Sequence, residues 1–217
     1  MALYSAESNR GWVSFKDKQW LDCDVIGSDA TSLTLKVKDV DGKEETKKYA
    51  RKDCLFAYRN PTTVEASSDF LTLPYLDEPN ILHSLRVRYW QGYVYSYTGP
   101  ILIAVNPWKR VDIYNAKVLE MHKSGECKEP HIFAVASKAL RELTNTRKNQ
   151  CILISGESGS GKTESTKYVL QILTSSGPGE QKAGTVSIEN QVMMTNPGNI
   201  VRNATQTTYP KANKVGC

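Results

Sequence analysis

The strongest constraint on the fold is the stretch Cys151-Ile-Leu-Ile-Ser-Gly-Glu-Ser-Gly-Ser-Gly-Lys-Thr163, in which a short apolar run feeds a glycine-rich loop and then a helix-forming segment. Gly156, Gly159 and Gly161 permit turns and close approaches that a Cβ would obstruct, so successive N–H groups can point inward around an anion. A helix opening there adds its positive dipole end. In such a loop Lys162 reaches the β- and γ-phosphates of a nucleotide as a point charge, and the Thr163 hydroxyl ligates Mg²⁺. The pattern Gly-x-x-x-x-Gly-Lys-Thr also occurs in ordinary glycine-rich surface turns, so context has to decide. Ile152 to Ile154 reads as a buried parallel strand, and Tyr168, Val169, Ile172 and Leu173 make an apolar face at helical spacing. Strand, loop and helix in that order favour nucleotide binding. The loop fixes the class of ligand and leaves the reaction open.

At 217 residues and 40% hydrophobic content the chain is long and apolar enough for one large globular domain or two small ones. Its net charge of +5 is spread along the chain rather than gathered in a stripe, so nucleic-acid binding is not indicated. Cys23, Cys54, Cys127, Cys151 and Cys217 are odd in number and lack close metal-ligand spacing, which reads as reduced thiols. Met1-Ala-Leu-Tyr-Ser-Ala lacks a basic region followed by a long apolar run, and no later stretch reaches membrane-spanning length. The expected location is therefore the cytoplasm, without membrane insertion. Asn203-Ala-Thr205 fits a glycosylation acceptor, but without a secretory signal it reads as a chance match.

From Gly11 to Phe56 the pattern is short and β-like: Trp12 to Phe15, Trp20 to Ile26, the alternating Leu33, Leu35 and Val37, and Glu44 to Tyr49 after an Asp41-Gly42 turn. This predicts a small antiparallel β-barrel over residues 1–60. As a peptide-binding module of the Src-homology-3 type it would use Trp12 and Trp20 as an aromatic groove; as a packed accessory barrel it would bury them. The second reading is favoured, because so small a core needs its aromatics. Asn60-Pro-Thr-Thr63 marks the boundary with residues 61–217. A helix capped near Asp77 carries Ile81, Leu82, Leu85 and Tyr89 on its expected apolar side, with His83 beside it as a packed residue rather than a ligand. Tyr93 to Tyr97 and Ile101 to Val105 are strands joined across Thr98-Gly-Pro100. A helix from about Asn115 to Lys123 follows, and Glu129-Pro-His131 opens a longer one in which Phe133, Ala136, Leu140 and Leu143 repeat. His131 reads as structural. Ser175 to Gly184 has linker composition, Val186 to Met194 can make a short helix, and Asn199 to Cys217 reads as coil.

Taken together, these segments resemble the head of a myosin heavy chain. Gly156-Glu-Ser-Gly-Ser-Gly-Lys-Thr-Glu164 is close to that family's phosphate loop, in which the position of Ser160 is commonly alanine. Asp77-Glu-Pro-Asn-Ile-Leu-His-Ser-Leu-Arg-Val-Arg-Tyr89 resembles its early helix; Tyr95 to Pro107, with Tyr114, resembles its strand and purine-binding loop; and Pro130 to Ala136 with Asn149-Gln150 extends the series. Arg86-Val-Arg88 and the barrel are similar to the unconventional class-five and class-eleven groups. The resemblance implies an α/β fold, a P-loop NTPase-type mixed sheet flanked by helices, with residues 61–217 as the amino-terminal part of the motor domain. It implies that Asn106, Pro107 and Tyr114 hold adenine, and that Gly156, Glu157, Ser158, Gly159, Ser160, Gly161, Lys162 and Thr163 hold the phosphates of ATP. Thr163 would be the Mg²⁺ ligand, and Lys162 the residue acting in catalysis. The family is an actin-activated Mg-ATPase of the cytoskeleton, so actin filaments are the implied partner of the full-length protein.

One departure stands out. Ile188-Glu-Asn-Gln-Val192 and Thr195-Asn-Pro197 resemble the lead into the family's first switch loop, but Asn203 to Cys217 lacks its paired serines and arginine. The second switch loop and the actin-binding segments are expected beyond Cys217. Two readings follow: the ATP-binding front of an actin motor, which alone lacks hydrolysis and actin binding, or a non-hydrolysing nucleotide-binding or interaction protein derived from such a head. Another phosphate-loop enzyme such as a small kinase is disfavoured, because no lid or acceptor site is apparent.

Overall fold

The computed structural model describes residues 9–15, 19–38 and 41–175. The expected linker, short helix and altered switch after Ser175, and the start at Met1, lie outside the described residues. These fall into two compact units: the described residues up to Val111 with Glu129–His131, and Asp112–Lys128 with the described residues from Ile132 onward.

In the first unit, β1 (Arg10–Ser14), β2 (Trp20–Ser28), β3 (Ser32–Lys38), β4 (Glu44–Ala50) and β5 (Leu55–Tyr58) form one antiparallel sheet in the order β4-β3-β2-β1-β5. Alternation builds it as the sequence predicts: Leu33, Leu35 and Val37 point inward at 3%, 0% and 6% exposure and pack with Val13 and Cys23. Burial, with the neighbouring Asp22 and Asp24, pushes the Cys23 thiol up to about 12, so it stays protonated in this core. The expectation of a closed barrel is corrected, because among the described residues no pairing joins β4 to β5 and the sheet is open. The aromatic groove is also absent at Trp12, which is buried and donates from Nε1 to Asn80 Oδ1 at 3.2 Å.

Helix α1 (Glu78–Trp90) starts where Asp77 accepts the Asn80 N–H, with Pro79 in the first turn, whose missing donor costs nothing there. Its buried stripe is not the expected apolar one. Asn80, Ser84 and Arg88 face inward, one helical turn apart, while Leu82 is 58% exposed. Asn80 and Arg88 are held by partners from other segments, whereas Ser84 Oγ is buried without a hydrogen-bond partner among the described residues. Asn80 Oδ1 also accepts the Asn60 N–H, and Asn80 Nδ2 donates to Tyr58 O and Asp77 Oδ1. Arg88 donates to Ser96 Oγ, Ala66 O and Tyr95 O at 2.8, 2.9 and 2.9 Å. Satisfied in this way, buried polar groups cost little and fix one arrangement of helix against sheet.

A charged cluster beside this stripe adds to it. Arg59 bridges Asp22 and Glu65 at 2.9 and 2.7 Å, and His83 Nε2 lies 3.2 Å from Glu65 Oε1 with its ring 4.9 Å from Trp12. Burial pushes the Glu65 carboxyl up, but Arg59 outweighs it and holds the group below its ordinary range. Burial, reinforced by the Arg59 charge, holds His83 below its ordinary value of 6.5, so it is neutral at pH 7. The hairpin β6 (Tyr95–Thr98) and β7 (Ile101–Ala104) completes this unit, and the His131 ring packs on Tyr95.

The second unit holds α2 (Ala116–Ser124), α3 (Ile132–Thr146) and α4 (Lys162–Ser175), with α3 packed against both α2 and α4. Asn115 caps α2 by accepting the Val118 N–H, and Gly125 ends it in the left-handed region at φ 81°. Leu119, Ile132, Phe133, Ala136, Val169 and Ile172 are its buried apolar residues among the described ones. The strand expected at Ile152 to Ile154 is not formed, and Leu153 is 89% exposed. A parallel strand needs neighbours along its edges and cover on both faces, and among the described residues nothing pairs with this run. The mixed sheet of a P-loop NTPase is thus not formed among the described residues. The sheets there are antiparallel, with one isolated parallel bridge between Asp69 and Tyr97.

Candidate functional site

The glycine-rich loop is laid out in the second unit from Gly156 to Gly161, and α4 begins at the next residue, Lys162. Gly159 and Gly161 sit at φ 81° and 93°, a region costly for residues with a Cβ, and the Ser160 N–H closes a turn on Glu157 O at 3.2 Å. At Gly156 the requirement is steric: a Cβ there would lie 2.5 Å from Ser160 Oγ. The loop therefore needs glycine at the positions where the sequence has it.

Lys162 folds back over this loop. Its Nζ donates to Gly156 O at 2.7 Å and Glu157 O at 2.8 Å, so the ammonium stands within the loop's own curve. An anion entering the curve competes with two neutral carbonyls for that charge, and a phosphate brings a full opposite charge that the carbonyls lack. Downstream, the Ser165 N–H bonds Gly161 O, Thr166 Oγ1 bonds Lys162 O, and Lys167 pairs with Glu164, so the first turns of α4 are well braced. Ser160 Oγ is buried without a hydrogen-bond partner among the described residues.

The donor set suits a nucleoside phosphate with Mg²⁺. Lys162, the α4 amino terminus and the Thr163 hydroxyl are what such a site uses, and Mg²⁺ characteristically takes few protein ligands, with phosphate and water supplying the rest. Among the described residues no group of three or more His, Cys, Asp or Glu could make a self-sufficient metal cage.

The residues expected at the purine end lie in different units. Asn106 and Pro107 follow β7 in the first unit, where Asn106 Oδ1 accepts the Trp108 N–H at 3.0 Å and shapes the turn. Tyr114 is in the second unit, immediately before the α2 cap, and its ring lies parallel to that of Tyr168 with centroids 3.7 Å apart. Sequence reasoning placed Tyr168 on an apolar helix face and missed this pairing, for which there is no local signal.

No helix among the described residues is long and apolar enough to cross a membrane. A sequence model of the myosin head (motor domain) family matches residues 67–205. Similar curated proteins include Myosin-4 of Saccharomyces cerevisiae, 36% identical over 86% of this chain and 14% of its own length. Myosin-16 of Arabidopsis thaliana is 38% identical over 86% of this chain and 15% of its own, and Myosin-4 of the same plant is 44% identical over 63% and 12%. The chain thus spans about one seventh of the length of these relatives. Its glycine loop, the helix that opens from it and the matched residues together make this chain a member of the myosin head (motor domain) family.

Proposed function

We propose that this chain is the ATP-binding amino-terminal segment of a myosin motor, with residues 1–60 as an accessory β module and residues 61–217 as the front of the motor domain. The observation that carries the reading is the position of Lys162 at the first turn of α4, its ammonium already turned into the curve of Gly156 and Glu157. On binding, Lys162 exchanges the two carbonyls for β- and γ-phosphate oxygens, and the loop N–H groups and α4 dipole take the remaining charge. Thr163 would hold Mg²⁺, which would neutralise phosphate charge when bound. Asn106, Pro107 and Tyr114 take the adenine, by the family resemblance.

Hydrolysis needs more than this. It requires an oriented water and donors aimed at charge that develops in the transition state, and loss of one such donor costs about a hundredfold to a thousandfold in rate. Lys162 and Thr163 are already committed to the phosphates and metal. Because Asn203 to Cys217 lacks the paired serines and arginine of the family's first switch loop, residues 1–217 bind ATP without turning it over at a motor's rate, and actin filaments in the cytoplasm are the partner the family resemblance gives. The test is equilibrium titration with Mg·ATP. Lys162→Ala is expected to weaken binding about tenfold or more, from the loss of charged hydrogen bonds. Lys36→Ala, at a surface lysine paired with Glu44, leaves it unchanged. Equal titrations for the two variants would refute the assignment, and actin-stimulated phosphate release abolished by Lys162→Ala would refute the lack of turnover.

A further inference from the structure

We propose that Arg59 is a two-position switch between the five-stranded sheet and α1, and that a proton on His83 moves it. Arg59 directly follows β5 and reaches three other segments at once. Its Nε donates to Glu65 Oε1 at 2.7 Å, its Nη1 donates to Asp22 Oδ2 on β2 at 2.9 Å, and its Nη2 lies 3.1 Å from His83 Nε2 on α1. A guanidinium carries donors only, so this last contact needs a bare Nε2 and puts the proton of the neutral ring on Nδ1. The same Nε2 stands 3.2 Å from Glu65 Oε1. The arginine, glutamate and histidine side chains are 10%, 10% and 9% exposed, so little water is at hand to relieve a misplaced charge.

One proton reverses this arrangement. With both ring nitrogens protonated, His83 turns an N–H towards an Arg59 N–H and the two cations repel, while Glu65 Oε1 already stands in place as the acceptor. The displaced guanidinium has a second position ready. Asp22 Oδ1 is buried without a hydrogen-bond partner among the described residues, on the same carboxylate whose Oδ2 accepts from Nη1. Turning Nη2 onto Oδ1 makes a bidentate pair and satisfies that oxygen. The other charges that bear on the cluster are Arg10, 3.2 Å from Asp22 Oδ2, and Arg86 on α1, and both are cationic in either position. Burial first, and then the Arg59 charge, hold the ring neutral at pH 7 against the pull of Glu65, so the exchange falls below pH 6.5. In the acid position Arg59 is tied to the sheet alone and His83 to Glu65 alone, and the sheet loses its charged tie to α1. Trp12 registers the change, because its ring lies 4.9 Å from Arg59 Cζ and 4.9 Å from the His83 ring.

Nitrogen-15 NMR of the full chain between about pH 7.5 and about pH 5 tests both positions. The neutral His83 ring is expected to carry its proton on Nδ1, and the Trp12 indole resonance to move with the His83 midpoint. The Arg59 Nε–H, protected by Glu65 at neutral pH, is expected to exchange about tenfold faster below that midpoint after correction for intrinsic pH dependence, the worth of one charged bond. His83→Gln keeps an oxygen that accepts from Arg59 and takes no proton, so it should hold the neutral-pH exchange rate and abolish both pH effects. His122→Gln should leave both as they are. The tautomer and the Arg59 exchange are read on the unsubstituted chain, so the proposal stays open to refutation even if His83→Gln does not fold. A neutral ring protonated on Nε2 overturns it, as does a His83 that takes no proton over this range or an Arg59 Nε–H that stays protected once His83 has titrated. The same release in His83→Gln, or loss of protection throughout the chain with no step confined to this cluster, overturns it equally.

Discussion

Asn80 is the residue whose replacement tests the packing account most sharply. It is 1% exposed, and its side chain accepts the Trp12 indole N–H at 3.2 Å and the Asn60 N–H at 3.0 Å while donating to Tyr58 O at 2.8 Å and Asp77 Oδ1 at 2.7 Å. Asn80→Leu keeps the volume and the helix propensity but orphans two buried donors, since Trp12 and Asn60 are 6% and 4% exposed. Each orphan costs about 1–3 kcal/mol, and the gain from burying leucine returns about 1–2 kcal/mol, leaving a net loss of about 3 kcal/mol. Tyr58 is 49% exposed, so its carbonyl adds less. With a urea dependence of about 1–3 kcal/mol/M, the midpoint should fall by roughly 1–3 M, followed by tryptophan fluorescence. In a Trp12→Phe background one orphan no longer exists, so the same substitution should cost about 1–3 kcal/mol less. An unchanged midpoint, or the same cost in both backgrounds, would refute the claim that Asn80 is held by these bonds.

Three further outcomes follow from other sites. Arg88→Met, which strips buried bonds from Ser96, Ala66 and Tyr95, should destabilise by about 2–4 kcal/mol in urea unfolding, and Arg88→Lys should not rescue it because an ammonium cannot reproduce the guanidinium fork. His83 is held below 6.5 in the fold by burial and Arg59, and His122 by burial, so below that pH the unfolded chain binds more protons than the native one. Stability should be flat above about pH 7 and fall on acidification towards about pH 5.5, less steeply in His83→Gln; stability that rises over this range would contradict the assignment. Gly156→Ala forces a Cβ to 2.5 Å from Ser160 Oγ and should weaken Mg·ATP binding roughly tenfold by distorting the loop, while the unfolding of the β module is unchanged.

What the sequence made legible is what local chemistry decides. The strands β1 to β4 could be read because alternation at Leu33, Leu35 and Val37 is a local pattern, α2 because its caps lie at its two ends, and α3 because its apolar periodicity is local. The glycine-rich loop was legible for the same reason, its three glycines and Lys162 lying within one short stretch. The polar stripe of α1 was not. Asn80 and Arg88 are satisfied by partners distant in the chain, Trp12 being 68 residues away, and no hydrophobic count detects a buried amide. Ile152 to Ile154 failed in the opposite sense, because an apolar run states a preference for burial while a strand also needs neighbours to pair with. Tyr168 carried an ordinary helical-face signal, and only the folded positions of α2, α3 and α4 show that its ring lies on Tyr114.

The central claim is that Lys162 meets the phosphates of bound ATP, and labelling by an acyl-phosphate derivative of ATP tests it directly, since the probe transfers its acyl group to a lysine amine beside the phosphate chain. After proteolysis and mass spectrometry of the labelled chain, the account predicts one dominant acylated residue, Lys162, protected by excess Mg·ATP and lost in Gly156→Ala. Acylation spread over exposed lysines such as Lys36 and Lys48, with Lys162 unlabelled and no protection by ATP, would contradict it.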